Sequence, residues 1–278
     1  MKKIVSTVLV VILLLVGLGL MAYPSVSNWW NSTQTTKVVA AYENVLNVVD
    51  PGTIDFQLEQ ARQFNEKIVS LGNRWNLSLS MREQYYSLLD ISGTGLMCML
   101  SIPRLNVELP VYHGDADDVL QVACGHMEGT SLPVGGKATH VVISGHTGLP
   151  SAELLTGLDT MEVGDRFILE TLGQKLVYEV SEINIVLPSE MGLLDIREDA
   201  DLVTLLTCTP YGVNSHRLLV TGSRVEFESE EEADRAVAEL EAGSPITPSR
   251  IILIVVAIGL LLALAVTAFL LRRWIKGR

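Results

Sequence analysis

A mainly β domain, preceded by helices and carried on two apolar membrane-spanning segments, is the fold class that the sequence predicts. Three observations predict it. From Gly95 onward the chain breaks into short apolar stretches separated by turn residues, at about 96–102, 106–112, 139–144, 166–171, 175–187, 202–208 and 216–227. Short strands at such spacing imply a closed barrel or a sandwich. Ahead of them, Thr36–Val49 and Ile54–Leu71 have helical spacing. At the two ends, Ile4–Ala22 and Ile251–Leu271 are uncharged apolar runs beside basic residues.

Taken in order, residues 1–23 read as a retained signal-anchor. The run Ile4–Ala22 follows Lys2 and Lys3 and has no clear Ala-x-Ala cleavage site behind it. As a helix it is roughly 28 Å long, close to the thickness of a bilayer core. Trp29 and Trp30 are placed to sit at the membrane interface. Residues 24–92 form a helical region. Val38, Ala41, Tyr42, Val45 and Val49 share one helix face, and Leu58, Ala61, Arg62 and Asn65 run along the next helix. Asp50-Pro51-Gly52-Thr53 separates the two, with Thr53 as the expected cap. Residues 72–92 are polar and irregular apart from a short helical piece near 81–89.

Residues 93–228 hold the strands, with a short helix expected over Ser151–Met161. Residues 229–249 read as an acidic helical stalk, with Ala233, Ala236, Val237 and Leu240 on one side. Residues 250–278 are a second span and a basic tail, Arg272-Arg273-Trp274-Ile275-Lys276-Gly277-Arg278. Basic flanks stay in the cytoplasm, so both termini are expected there and residues 24–249 outside the cell. Mean hydropathy is +0.34, in keeping with membrane segments.

The net charge of −12 hides an asymmetry. All 32 acidic residues lie between Tyr23 and Ser249 with 13 basic ones, so that middle carries −19. Such a surface excludes nucleic acid as an expected partner and is compatible with a basic substrate.

One stretch carries the chemistry. Leu202–Thr207 is apolar and β-branched, Pro210, Gly212 and Asn214 punctuate a short connection, and His216–Val220 resumes the strand pattern. Antiparallel pairing would set Cys208 near Arg217. A nearby cation favours the reactive thiolate, and a guanidinium donates hydrogen bonds to an oxyanion without acting as a base. The best candidate for the missing acid or base is His146, where the strand His140–Ser144 runs into a glycine corner. Alternation turns His216 to the opposite face from Arg217. His113 and His126 lie at strand ends or in loops, and His140 lies at the far end of the strand that His146 closes. The three cysteines do not make a disulfide framework. Cys98 reads as a buried thiol and Cys124 as structural. The paired spacing of a zinc site is lacking.

Thr-Leu-Leu-Thr-Cys-Thr-Pro-Tyr-Gly-Val-Asn-Ser-His-Arg at 204–217, Ser-Gly-His-Thr-Gly-Leu-Pro at 144–150, Leu-Pro-Val-Tyr-His-Gly at 109–114 and Gly125–Gly136 together resemble the class C sortases, the pilin-polymerising transpeptidases of Gram-positive bacteria. The resemblance covers about residues 36–228. It implies a closed β-barrel of about eight strands with an N-terminal helical region packed beside it. It implies Cys208 as nucleophile, His146 as general acid/base and Arg217 as the oxyanion or substrate donor; Ser144, Thr207 and Thr209 are candidates for the groove or the layer just behind it, with a local strand-end role as the equal alternative. The implied partners are pilin precursors with Leu-Pro-x-Thr-Gly-type sorting signals, met at the lipid bilayer, and no metal or organic cofactor is required. Anchoring of proteins to peptidoglycan, or a non-catalytic tethered binding module, are the other readings. Many pilus sortases insert an Asp-Pro-aromatic lid into the site. The only Asp-Pro here is Asp50-Pro51, too early in the chain, which leaves Trp75 as the candidate plug, with ordinary packing as the equal alternative.

Overall fold

The computed structural model describes residues 2–149, 152–242 and 259. Met1–Thr33, Pro150–Ala152 and Ile246–Arg278 fall in one unit, and Gln34–Leu149 with Glu153–Pro245 in another. Helix α1 (Lys2–Val48) includes Pro24 and runs through the first apolar stretch. Several side chains of that stretch, and all of the second span 251–271 except Gly259, lie outside the described residues. Among the described residues, no helix is long and apolar enough to cross a membrane.

Val49 and Asp50 separate α1 from α2 (Pro51–Val69). Asp50 is the N-cap, in extended geometry, and Pro51 takes the first helical position, where its fixed φ suits the turn and its missing N–H costs nothing. Thr53, the expected cap, lies inside the first turn, its N–H donating to the Asp50 carbonyl at 2.8 Å. Helix α2 buries Leu58, Ala61, Phe64, Asn65 and Ile68, one stripe at helical spacing, while Arg62 faces out. The stripe shares a core with Tyr42 of α1, Tyr85 of α3 (Leu79–Ser87) and, from the barrel domain, Met97, Met99, Leu132 and Val134.

Eight strands make the barrel: β1 (Leu96–Ile102), β2 (Val107–His113), β3 (Cys124–His126), β4 (Thr139–Ser144), β5 (Arg166–Thr171), β6 (Gln174–Val186), β7 (Asp201–Thr209) and β8 (His216–Arg224). Their order is β1-β2-β3-β4-β7-β8-β6-β5, and β5 pairs back onto β1. Only β2–β3 and β4–β7 are parallel. Closure leaves no open sheet edge. Seven of the strands coincide with the stretches read from sequence. β3 has three residues, too few for alternation to show.

Three other elements differ from expectation. Over 152–161 there is no α-helix, only turns and a three-residue 3-10 turn at Leu158–Thr160. Gly157 before it has φ 90°, a left-handed conformation that a right-handed helix cannot pass through. A single helical turn, α4 (Asp117–Leu120), stands between β2 and β3. Helix α5 (Glu230–Ala242) is not a free stalk. Val237 is 2% exposed and packs with Ile168 of β5 and Val177 of β6, with Val225, Phe227 and Leu240 around them. The apolar stripe of this acidic helix is covered by the barrel, as burial of apolar area favours.

The helical region is joined to the barrel domain by paired amide bonds. Asn65 Nδ2 donates to the Leu132 carbonyl at 3.0 Å, and the Leu132 N–H donates to Asn65 Oδ1 at 2.7 Å. Asn65→Leu keeps the volume but strands both backbone groups of Leu132. It is expected to lower unfolding free energy by about 2 kcal/mol, read from the urea midpoint at unchanged slope.

Candidate active site

Register builds the site. In the β7–β8 pair Cys208 stands directly opposite Arg217, and Leu206 opposite Leu219 two residues earlier. Alternation puts these four side chains on one face of the sheet. β4 runs parallel to β7 with Ser144 beside Leu206, so the chain leaves β4 next to Cys208, at Gly145 and His146.

That corner is fixed by hydrogen bonds to its backbone. Gly145 N–H donates to the Leu206 carbonyl at 3.1 Å, the Thr207 hydroxyl donates to the Gly145 carbonyl at 2.7 Å, and Leu155 N–H donates to the His146 carbonyl at 3.1 Å. A Cβ at position 145 would stand 2.8 Å from Leu155 Cδ1 and 3.1 Å from Cys124 Sγ. Only glycine lets the corner seat against those two side chains.

Cys208, His146 and Arg217 line a single groove of about 260 Å³. Leu206 and Leu219 also line it, and beyond β6 so do residues of the segment 186–194, among them Pro188 and Met191. Asp115 and Leu120 line it as well. Partial desolvation raises the Asp115 carboxyl above the usual range, although the residue as a whole is exposed. Glu190 is occupied with the Leu187 N–H at 2.8 Å. Arg217 donates from Nη1 to the carbonyls of Asn214 at 3.3 Å and His216 at 3.1 Å, which fixes the plane of its guanidinium.

The remaining thiols and imidazoles are placed elsewhere. Cys98 and Cys124 are buried, and burial pushes both thiols up, Cys124 to about 12. Neither forms thiolate near neutrality. Cys208 is half-buried. His126 is fully buried, and burial lowers its pKa to about 4. Its Nε2 lies 2.8 Å from the Ser131 carbonyl and its Nδ1 3.0 Å from the Tyr85 hydroxyl, so the neutral ring donates from Nε2 and accepts at Nδ1. His140 is buried between the Asp195 carbonyl and Thr204 Oγ1, and His113 sits on the Gly95 carbonyl; burial lowers both. His216 meets Ser215 Oγ at 2.9 Å, off the groove. Among the described residues, no three His, Cys, Asp or Glu side chains converge as a metal site.

Of the other residues singled out, Ser144 lines the groove and its hydroxyl donates to the Gly125 carbonyl at 3.3 Å. Thr207 lines it too, with its hydroxyl spent on Gly145. Thr209 pairs with His216 and is not among the lining residues. Trp75 is not among them either. It is 38% exposed and stacks on the guanidinium of Arg74, 4.1 Å from ring centroid to Cζ. Arg74 in turn donates to the carbonyls of Gly129 at 3.1 Å and Leu194 at 2.8 Å. Asp115 had no local signal. It follows β2 in a run of acidic residues that reads as ordinary surface, and only barrel closure brings it to the groove.

Cys208, His146 and Arg217 thus meet at one groove of a closed eight-stranded barrel. A family model described as the sortase domain matches residues 100–225. The crystal structure of sortase C1 from Streptococcus agalactiae is 40% identical, with a TM-score of 0.67 over 69% of this chain and 100% of that one. A Clostridium perfringens sortase C, solved with the C-terminal cell wall sorting motif, is 35% identical, with a TM-score of 0.61 over 69% of this chain and 100% of that one. Among curated proteins, Sortase D of Bacillus subtilis (strain 168) is 30% identical over 131 residues, 46% of this chain and 63% of the relative. The chain thus spans less than two thirds of that relative's length. The chain belongs to the sortase family, and its solved neighbours, mostly sortase C enzymes, place it in class C.

The difference in burial gives a direct test. Native protein treated with iodoacetamide at pH 8 should take up one carbamidomethyl group, on Cys208 by peptide mapping, and three after denaturation. Native labelling of Cys124 would contradict the packing described.

Proposed function

We propose that the protein is a cysteine transpeptidase that cleaves a Leu-Pro-x-Thr-Gly-type sorting signal after threonine and transfers the acyl group to a lysine amine of a pilin subunit. The observation that supports this most is that the half-buried thiol Cys208, His146 and Arg217 line one groove, while Cys98 and Cys124 are buried. The solved neighbour carrying a cell wall sorting motif supports the substrate class.

In this reading the Cys208 sulfur, as thiolate, attacks the threonine carbonyl carbon. The oxyanion that forms accepts hydrogen bonds from Arg217. His146, as imidazolium, protonates the glycine nitrogen as the Thr–Gly bond breaks, leaving a thioester and a neutral imidazole. The lysine amine then adds to the thioester carbonyl and its proton passes to His146. The sulfur departs as thiolate and an isopeptide bond remains. One amide is lost and one is made, so no redox partner or cofactor enters the balance. The apolar groove residues Leu206, Leu219 and Met191 suit the leucine and proline of the signal.

The sequence supports a two-pass membrane protein, with spans at 4–22 and 251–271, both termini cytoplasmic and the barrel outside. Substrates held in the same bilayer would meet the groove at high effective concentration.

The test uses purified protein, a sorting peptide and either a pilin fragment with its lysine or a peptidoglycan-like amine. Mass spectrometry should find a thioacyl adduct on Cys208, and the product should join the pilin lysine. A product formed only with the peptidoglycan-like amine would instead make it an anchoring sortase. Cys208→Ala should abolish the adduct, and undiminished turnover in that variant would leave only a binding module. Arg217→Lys should lower kcat/KM by about 10²-fold, because an ammonium cannot reproduce a planar two-donor contact.

A further inference from the structure

The connection between β7 and β8 carries a contact that none of the proposed chemical steps uses. Tyr211, three residues after Cys208, lays its ring over Gly148, two residues after His146. A Cβ at position 148 would stand 2.6 Å from Tyr211 Cε2, 2.9 Å from Cζ and 3.1 Å from Cδ2. Gly148 also has φ +76°, a left-handed conformation that glycine adopts without strain. Two observations thus reserve the position for glycine, and the ring occupies the space a side chain would fill.

Both partners of the contact are anchored. On one side, Gly148 N–H donates to Thr156 Oγ1 at 3.0 Å, and the His146 carbonyl is held by Leu155. On the other, Val213 and Asn214 N–H groups both donate to the Pro210 carbonyl at 3.0 Å, closing the turn that presents Tyr211. Tyr211 is nevertheless 70% exposed, so it contributes little to the apolar core. An exposed aromatic ring seated on a bare glycine, between the segment that follows the thiol and the segment that follows the imidazole, spans the two halves of the site from outside.

We propose that Tyr211 is a positioning residue: its ring, resting on Gly148, sets the separation of Cys208 from His146. The ring does this and not the hydroxyl, since the contacting atoms are ring carbons. The inference rests on the roles proposed for Cys208 and His146 in transpeptidation.

The experiment measures kcat and KM for a fluorogenic sorting peptide and the pH dependence of Cys208 alkylation, in wild type, Tyr211→Ala, Tyr211→Phe, Gly148→Ala and the double variant Gly148→Ala/Tyr211→Ala. Tyr211→Ala should lose about tenfold in kcat with KM within about twofold, since a small misplacement of reacting groups acts on the chemical step. Its alkylation profile should also move, because the thiol then faces a displaced imidazole. Tyr211→Phe should restore both readouts. Gly148→Ala must displace the ring and should lose as much as Tyr211→Ala, while the double variant should lose no more than about twofold beyond either single change. Thermal midpoints within about 2 °C of wild type would assign the losses to geometry and not to unfolding. The proposal is overturned if Tyr211→Ala keeps wild-type kcat, if Tyr211→Phe is as impaired as Tyr211→Ala, or if the losses multiply. Wild-type protein that forms no thioacyl adduct would remove the roles of Cys208 and His146 as well, whereas an active wild type beside an unimpaired Tyr211→Ala removes only that of Tyr211.

Discussion

The pairing register of β7 and β8 is the constraint on which the site depends. A slip of one residue would turn every side chain of β7 to the other face, carrying Cys208 away from Arg217 and out of the groove. The register is pinned midway along the pair by buried polar bonds. Thr204 stands opposite Thr221, their hydroxyl oxygens 2.8 Å apart, and Thr204 Oγ1 lies 2.7 Å from His140 Nε2. With His140 Nδ1 donating to the Asp195 carbonyl, the neutral ring accepts from Thr204, which accepts in turn from Thr221. In a buried place such a chain is satisfied in one register only, and any other leaves polar groups stranded at a cost of a few kcal/mol. A histidine outside the proposed chemistry therefore holds the strand that carries the thiol.

The helical region before the barrel reaches residues on both flanks of the groove. Arg74 holds the carbonyl of Leu194, a lining residue, from the polar, irregular segment that carries the candidate plug Trp75. Tyr85 meets His126 in β3 and accepts from the N–H of Gly114, the residue before Asp115. Tyr85 and His126 are both buried, and burial disfavours the charged form of each. A fully paired neutral network of this kind stiffens the elements it joins. Residues 72–92 thus read as buttress in this structure, with Trp75 stacked on Arg74.

The catalytic candidates were legible because their signal is local. Cys208 and Arg217 lie nine residues apart around one turn, so reading two strands and a connection is enough to pair them. His146 was legible because a strand that ends at Ser144 and runs on through Gly145 presents the following residue at a corner, out of the sheet. Local pattern failed where an element is short or its partner distant. β3 is too short to alternate, Gly157 interrupts the expected helix by backbone conformation, and Asp50 displaced Thr53 as cap because Pro51 fits the first turn. The helix α5 stripe was visible from the start, but its covering surface comes from β5 and β6, some 55–70 positions earlier.

Local chemistry in the sequence settled the strand count to within one, the glycine corner and the pairing of a thiol with a guanidinium, since each depends on neighbours a few positions away. Tertiary structure alone decided which histidines are neutral and buried, that Arg74 braces a groove residue, that Asp115 enters the groove and that Tyr211 rests on Gly148. Those depend on barrel closure, which joins residues tens of positions apart and sets how far each is removed from water, and no stretch of sequence encodes either quantity by itself.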